Sequence, residues 1–177
     1  MDKKLPQVDV NRDEGETMVQ ETYHQLPSLE RLNLLVGEWN LEFIFPKDPD
    51  HHLHGREDFE WMKDRTFLFE RWHVAHPDAT DRVGIIGADD DGETFTMHSF
   101  GSSGVTHIYR MSLNDGVWKL WYDHPGLSQR FEGKFSDDGN TITAYWERST
   151  DGSSWERDFD LFYYRVTPVT NVQATIK

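Results

Sequence analysis

Residues 105–149 read VTHIYRMSLNDGVWKLWYDHPGLSQRFEGKFSDDGNTITAYWERS, and this stretch decides the fold. Aromatic and β-branched residues alternate with polar ones in successive short runs, which is typical of half-buried β-strands. The runs are separated by turns, two of which are the Asp-Gly pairs at Asp115-Gly116 and Asp138-Gly139. Asp-Gly between alternating apolar residues is the strongest short signal of a β-hairpin. Strands that are neighbours in sequence should therefore pair in space, as an antiparallel meander.

The same pattern extends from Val36 to Val166, with further Asp-Gly turns at Asp91-Gly92 and Asp151-Gly152. It predicts ten strands, at about 37–46, 56–63, 66–75, 82–88, 94–100, 105–113, 117–123, 127–135, 140–149 and 154–166. The segment from Lys47 to Gly55 is predicted to be a longer polar loop. No helical pattern interrupts the strands, and closing a long meander removes its two edges. The predicted fold is therefore all-β, a single up-and-down antiparallel β-barrel.

The flanking segments have a different character. Residues 1–25 are polar, acidic and without apolar periodicity, which predicts a disordered tail. Leucines recur every third residue at Leu29, Leu32 and Leu35, with Ser28 placed to cap the first turn, which predicts one short helix lying as a lid on a barrel end. The predicted organisation is a tail at 1–25, a barrel at 26–167 and a C-terminal tail at 168–177.

The charge and the absence of cysteine limit the classes of function. Lys and Arg number 18 against 32 Asp and Glu, for a formal charge of −14, and such a field repels phosphate backbones and anionic lipids. Nucleic acid and membranes are therefore not expected partners. The chain has no cysteine and starts without an apolar segment, which together favour a cytoplasmic location. The sequence does not determine the oligomeric state, and a homodimer is one of the alternatives.

Both ends of the barrel segment carry a resemblance. Gly37-Glu38-Trp39 opens the first strand and Tyr164-Arg165-Val166 ends the last. This resembles the calycins, in which a Gly-x-Trp tryptophan plugs the closed end and a basic residue of the final strand lies across its ring. The resemblance implies that Trp39 and Arg165 close the barrel through a cation–π contact.

The stretch from Leu29 to Val166 also resembles a family of bacterial calycin-like domains of unknown function. The matching pieces are Leu35-Val36-Gly37-Glu38-Trp39, His98-Ser99-Phe100, Ser103-Gly104, Tyr109-Arg110-Met111-Ser112, Phe131-Glu132-Gly133-Lys134-Phe135-Ser136, Asp138-Gly139-Asn140-Thr141-Ile142, Trp146-Glu147-Arg148-Ser149, Asp151-Gly152, Trp155 and Tyr164-Arg165-Val166. Relatives include the nitrobindin-like barrels, which hold haem through a histidine late in the chain. No histidine follows His124 in this sequence, so haem bound in that manner is not expected, and no other cofactor is indicated.

Several polar side chains are candidates to orient a ligand inside the barrel. His107 and Tyr109 alternate with the apolar residues of the sixth strand, and His98 lies on the preceding strand. On the third strand, Arg71 and His73 share one face, but the sequence does not decide whether that face points inward. The alternatives are a core histidine at position 107, and an outward Arg71 that pairs with an acidic residue of a neighbouring strand. A metal site is not expected at His51-His52-x-His54, which falls in the predicted loop.

Three functions remain open at this point. The barrel could bind a small, mostly apolar molecule in a cavity lined by aromatic side chains. It could instead be an enzyme in which His107 and Tyr109 carry out acid–base chemistry on a small organic substrate. The third alternative is a barrel filled by its own side chains, which acts through its surface. The abundant aromatic residues, 14% of the chain, fit both a lined cavity and a filled one.

The tail prediction can be tested by truncation. A chain that starts at Leu26 should keep its thermal unfolding midpoint within a few degrees of the full chain, because residues 1–25 have no apolar pattern with which to join a core. Differential scanning calorimetry of both chains makes the comparison. A large fall in the midpoint would show that the tail contributes to the folded core.

Overall fold

The computed structural model describes residues 26–77 and 79–167, and the predicted tails at 1–25 and 168–177 lie outside these residues. Two 3₁₀ helices span Pro27–Leu34 and Lys63–Arg65. The ten strands are β1 (Gly37–Phe45), β2 (Asp48–Trp61), β3 (Leu68–Val74), β4 (Arg82–Ala88), β5 (Phe95–Gly101), β6 (Thr106–Asn114), β7 (Val117–His124), β8 (Leu127–Phe135), β9 (Thr141–Ser149) and β10 (Glu156–Arg165).

The strands form one closed sheet. Each strand pairs antiparallel with its neighbours along the chain, and β1 closes the barrel by pairing with β10. The predicted all-β up-and-down barrel is confirmed. Within the described ranges, no helix is both long and apolar enough to cross a membrane.

Turn chemistry explains why neighbouring strands pair. At the β6–β7 turn, Asp115 has φ +50° and Gly116 has φ +71°, and the flanking residues Asn114 and Val117 face each other in the ladder. Two central residues with positive φ match the two-residue hairpin turn whose twist fits that of the strands. Glycine adopts this conformation at little cost, and aspartate tolerates it better than most residues.

The predicted loop between Lys47 and Gly55 is wrong, because β2 begins at Asp48. Its first half pairs with β1, placing Leu53 opposite Phe43 and His52 opposite Ile44. Residues 48–52 are all exposed, so this part of the ribbon shows no alternation of polar and apolar residues from which a strand could be predicted. The first helix also differs from the expectation. It is a 3₁₀ helix that begins at Pro27, and no side chain caps it.

One end of the barrel is closed by the first 3₁₀ helix. Leu29, Leu32 and Leu35 are buried against the barrel core, as the leucine spacing predicted for a lid. Trp39 is fully buried beneath this segment, and its indole Nε1 donates a hydrogen bond to the Leu35 carbonyl at 2.8 Å. The polar edge of the tryptophan is thus satisfied while its rings fill the end of the barrel.

Arg165 ties the last strand to the first and to the lid. Its guanidinium lies 4.0 Å from the centroid of the Trp39 ring, so the contact implied by the resemblance is present. Nη1 donates to the Val36 carbonyl at 2.6 Å, Nη2 to the Leu34 carbonyl at 2.9 Å and Nε to the Gly139 carbonyl at 3.2 Å. A Cβ at Gly37, where φ is +119°, would lie 3.0 Å from Nη1, so the glycine leaves room for the arginine.

Replacing Arg165 should therefore be costly. Arg165→Ala is expected to lower the free energy of unfolding by about 2–4 kcal/mol, because it removes a cation–π contact and charge-assisted hydrogen bonds to three carbonyls. Urea unfolding monitored by tryptophan fluorescence measures this change. Arg56→Ala, at an exposed position of β2, is the matched control and should change stability by about 0.5 kcal/mol or less. Equal effects of the two substitutions would show that Arg165 is not a structural clamp.

Candidate functional site

The opposite end of the barrel is less tightly closed. We call it the open end, where β3 ends at Val74 and β4 begins at Arg82. Core side chains near the lid, such as Leu68 and Ile86, are 0% exposed, whereas Trp72 and Val74 are each 7% exposed. Phe45, His107, Tyr122 and Phe159 are half-buried at the open end, so solvent reaches the edge of the interior there.

Aromatic side chains surround the interior at this end. We define the aromatic layer as Phe43, Trp72, Tyr109, Tyr122, Trp146 and Phe159. Ring centroids lie 5.3 Å apart for Phe43–Trp72, 5.5 Å for Phe43–Phe159 and 5.8 Å for Tyr109–Trp146, in tilted or edge-to-face arrangements. Such arrangements are the favourable ones for aromatic pairs, and apolar rings of this kind line most small-molecule sites.

A charged cluster lies in the interior against the aromatic layer. We define it as Glu57 on β2, Glu70 on β3 and Arg82 on β4. Glu57 is 1% exposed and Glu70 is 0% exposed. Arg82 Nε donates to Glu70 Oε1 at 2.9 Å, and Arg82 Nη2 lies 3.5 Å from Glu57 Oε1. The guanidinium also sits 4.0 Å from the centroid of the Trp72 ring, so one face of the cation is covered.

Strand register and one glycine make room for this cluster. Trp72 faces Arg82 across the β3–β4 pair, and Glu70 faces Gly84. A Cβ at Gly84 would lie 2.2 Å from Glu70 Oε2, closer than atoms can approach, so the carboxylate occupies the space that any other residue at 84 would fill. The glycine therefore allows Glu70 to reach Arg82.

Burial changes the acid–base behaviour of Glu57 in the cluster. Neither Glu57 oxygen, nor Glu70 Oε2, has a hydrogen-bond partner within the described chain. Burial, followed by the neighbouring Glu70 carboxylate, raises the pKa of Glu57 well above its ordinary value. Burial acts to lower the pKa of Arg82, but the Glu70 and Glu57 carboxylates raise it above its usual range. Burial therefore favours the protonated form of Glu57, beside a Glu70 carboxyl that is hydrogen-bonded to Arg82.

Polar groups continue from the cluster towards solvent. The Tyr109 hydroxyl donates to Gln129 Oε1 at 2.9 Å, and the half-buried His107 ring lies 4.8 Å from the Tyr122 ring. Partial burial, followed by the charges of Arg82 and His124, lowers the pKa of His107. Burial raises the pKa of Tyr109. His107 is therefore a neutral imidazole at neutral pH, available to donate or accept a hydrogen bond.

The structure separates the residues singled out in the sequence into two groups. His107 and Tyr109 face the interior, whereas Arg71, His73 and His98 are exposed on the outer face. Arg71 pairs with Glu60 and, at 2.6 Å, with Asp58 of the neighbouring β2, which is the outward alternative left open by the sequence. His73 Nδ1 lies 2.7 Å from Asp81 Oδ1.

The outward position of Arg71 and His73 follows from which face of β3 is buried. Its buried residues are Leu68, Glu70, Trp72 and Val74, so the opposite parity carries Arg71 and His73 to solvent. These two residues and His98 do not line the interior, and the charges that do are Glu57, Glu70 and Arg82. The sequence did contain one signal of these interior charges. Glu70 alternates with three large apolar residues, so it lies on the apolar face of β3.

Two clefts lie outside the interior. One, of about 420 Å³, lies at the rim of the open end between the β7–β8 turn and the loop after β9, beside His124 and Asp151. The other, of about 300 Å³, lies over β1 to β3 beside His54 and His73. In the described ranges, no group of three or more histidine or acidic side chains is placed to hold a metal ion.

Comparison with known proteins supports the fold. A solved structure titled "Crystal Structure of Rv2717c from M. tuberculosis" superimposes with a TM-score of 0.58 at 14% sequence identity, covering 81% of this chain and 100% of that one. No protein-family model and no curated protein matches the chain. Because the identity is low, the likeness shows a shared barrel fold alone, and the calycin and nitrobindin resemblance stays an expectation.

The protonated Glu57 gives a prediction about pH and stability. Because its pKa is raised in the folded protein, the unfolded chain loses this proton from about pH 4.5 upward while the folded chain keeps it. This group therefore lowers stability as pH rises, by up to about 1.4 kcal/mol per pH unit, until the folded pKa is reached. Glu57→Gln has no proton to lose, so its stability relative to wild type should increase by about 1.4 kcal/mol or more between pH 5 and pH 8.

Urea unfolding at several pH values measures that difference directly. Glu60→Gln, at an exposed position of the same strand, is the control and should show a difference that changes little with pH. A constant difference between Glu57→Gln and wild type from pH 5 to pH 8 would show that Glu57 is ionised in the folded protein.

Proposed function

We propose that this chain binds a small, mostly apolar molecule in the open half of the barrel. The observation that carries the proposal is the charged cluster buried against the aromatic layer. Burying ionised groups is expensive even when they are paired, and apolar side chains of similar volume are often at least as stabilising. A barrel that served only as a scaffold would gain nothing from Glu57, Glu70 and Arg82 at these positions.

The aromatic layer supplies the apolar contacts of the proposed site. Tyr122 and Phe159 are half-buried at the open end, as is Phe45, which contacts Phe159 at 5.6 Å between ring centroids. A guest enters by displacing these rim side chains, because partly exposed rotamers exchange rapidly. Its apolar body then contacts Trp72 and Trp146, and its polar part reaches the donors of the cluster and the rim.

Other expectations from the sequence accompany this proposal. The enzyme alternative uses the same interior, with His107 and Tyr109 in acid–base roles, and stays a prediction. The proposed ligand is not haem, since the chain has no histidine after His124. From the formal charge of −14 we further propose no nucleic-acid or membrane partner. From the absence of cysteine we propose a cytoplasmic location.

A fluorescent apolar probe tests the proposal. N-phenyl-1-naphthylamine should bind wild type and be excited by energy transfer from the interior tryptophans Trp72 and Trp146. Ser99→Phe places a ring at a buried, inward position of β5 that faces His107 and Gly84, and should weaken probe binding at least tenfold. His98→Phe adds a ring at the adjacent exposed position and is the matched control, with unchanged affinity.

Circular dichroism confirms that both variants fold. Wild type that fails to bind the probe, or equal binding by the two variants, would contradict a ligand site inside the barrel. Native mass spectrometry of the purified wild-type chain gives a second readout, because a copurifying small molecule appears as an added mass that Ser99→Phe should lose.

A further inference from the structure

We infer that the ligand of the barrel carries a carboxylate, which binds at the open end to Arg82, His107 and Gln129. This inference rests on the proposed function and names the chemical class of the molecule. It follows from which hydrogen-bonding groups are left without partners at the open end, and from the sign of the charges that face the interior.

Arg82 provides the first donors. Its Nε is used by Glu70, its Nη2 lies 3.5 Å from Glu57, and its Nη1 has no acceptor among the described residues. The side chain is 17% exposed, whereas those of Glu57 and Glu70 are 0% exposed, so Arg82 is the member of the cluster that solvent reaches. A guanidinium presents its N–H groups as a planar fork, which matches the two oxygens of a carboxylate.

Two further donors lie in the same region. The Oε1 atom of Gln129 accepts the hydrogen bond of Tyr109, which leaves the side-chain NH₂ of Gln129 to donate to a guest. His107 lies between the Tyr109 and Tyr122 rings, with centroids at 5.9 and 4.8 Å, and interacts electrostatically with Arg82. Each of the three groups can donate a hydrogen bond to a guest, and none of them is an acid.

The cluster member that solvent reaches is a cation, Arg82, although the whole chain is acidic. The titratable and charged groups that face the interior here are Glu57 on β2, Glu70 on β3, Arg82 on β4, His107 and Tyr109 on β6, Tyr122 and His124 on β7, and Tyr163 on β10. At the rim, Arg148 lies 3.7 Å from Asp158, and Asp123 and Asp151 lie beside His124. Of the two interior acids, burial raises the pKa of Glu57, and Glu70 is hydrogen-bonded to Arg82. The interior charge nearest to solvent is therefore that of Arg82, and it favours an anion.

Binding should be linked to a proton. In the free protein, partial burial and the charge of Arg82 hold the pKa of His107 below its ordinary value. A carboxylate placed beside the imidazole favours the charged form, so it raises that pKa and draws a proton from solvent. Affinity for the carboxylate should therefore fall as pH rises from 6 to 8.

Three probes with the same apolar body test the inference on the full chain. They are 3-phenylpropanoate, 3-phenylpropan-1-ol and 3-phenylpropylammonium, each used to displace N-phenyl-1-naphthylamine. The carboxylate is expected to bind at least tenfold tighter than the alcohol, and the ammonium most weakly. Octanoate, measured beside 3-phenylpropanoate, distinguishes a fatty acid from an aromatic acid as the source of the carboxylate.

Variants assign the preference to residues. His107→Phe should reduce the affinity for 3-phenylpropanoate at least tenfold while leaving that for the alcohol unchanged. The paired replacement Glu70→Leu/Arg82→Met removes both charges together, so that neither is left buried alone, and should remove the preference for the carboxylate. Arg71→Met, at an outward position of β3, is the control and should keep the preference.

Calorimetry in two buffers of different ionisation enthalpy measures the proton. Wild type should take up protons when 3-phenylpropanoate binds at pH 7, and His107→Phe should not. Equal affinities for the three probes, or a tighter ammonium, would overturn the carboxylate while leaving a binding barrel in place. If neither the dye nor any of the probes binds, both the proposed function and this inference fail.

Discussion

Closure of the sheet depends on the pairing of β1 with β10, and Arg165 is the group that fixes it. The guanidinium covers Trp39 and binds carbonyls of the segment that leads into β1. The first and last strands are the pair most distant in sequence. Their pairing therefore closes the longest loop in the barrel, and it has the largest cost in chain entropy. A charged contact that joins both strands to the lid offsets part of that cost at one place.

The two ends of the barrel have different physical roles. At the closed end the Trp39 indole and the Arg165 guanidinium donate to backbone carbonyls. Towards the open end the polar groups are satisfied by one another, and only in part, as for Glu57 and Arg82. The buried charged cluster therefore keeps unmatched hydrogen-bonding capacity that the clamp at the closed end does not have.

Much of the architecture could be predicted because it is encoded locally. Asp-Gly turns such as Asp115-Gly116 and the alternation in β6 to β9 report hairpins without reference to the rest of the chain. The charged cluster could not be predicted in the same way, since Glu57, Glu70 and Arg82 come together only through the register of three strands. Where alternation was ambiguous, in β3, the sequence drew attention to Arg71 although the buried charge was its neighbour Glu70.

The fit between Gly84 and Glu70 has a consequence for how this chain can diverge. The carboxylate occupies the volume that a side chain at 84 would need, so the two positions are not free to vary independently. A lineage that first shortened residue 70 could afterwards accept alanine at 84 once the Met97 methyl, 2.8 Å from that Cβ, had moved, whereas the reverse order would pass through an overpacked intermediate. Substitution at this pair is therefore directional, and among distant homologues a larger residue at 84 should accompany a smaller one at 70.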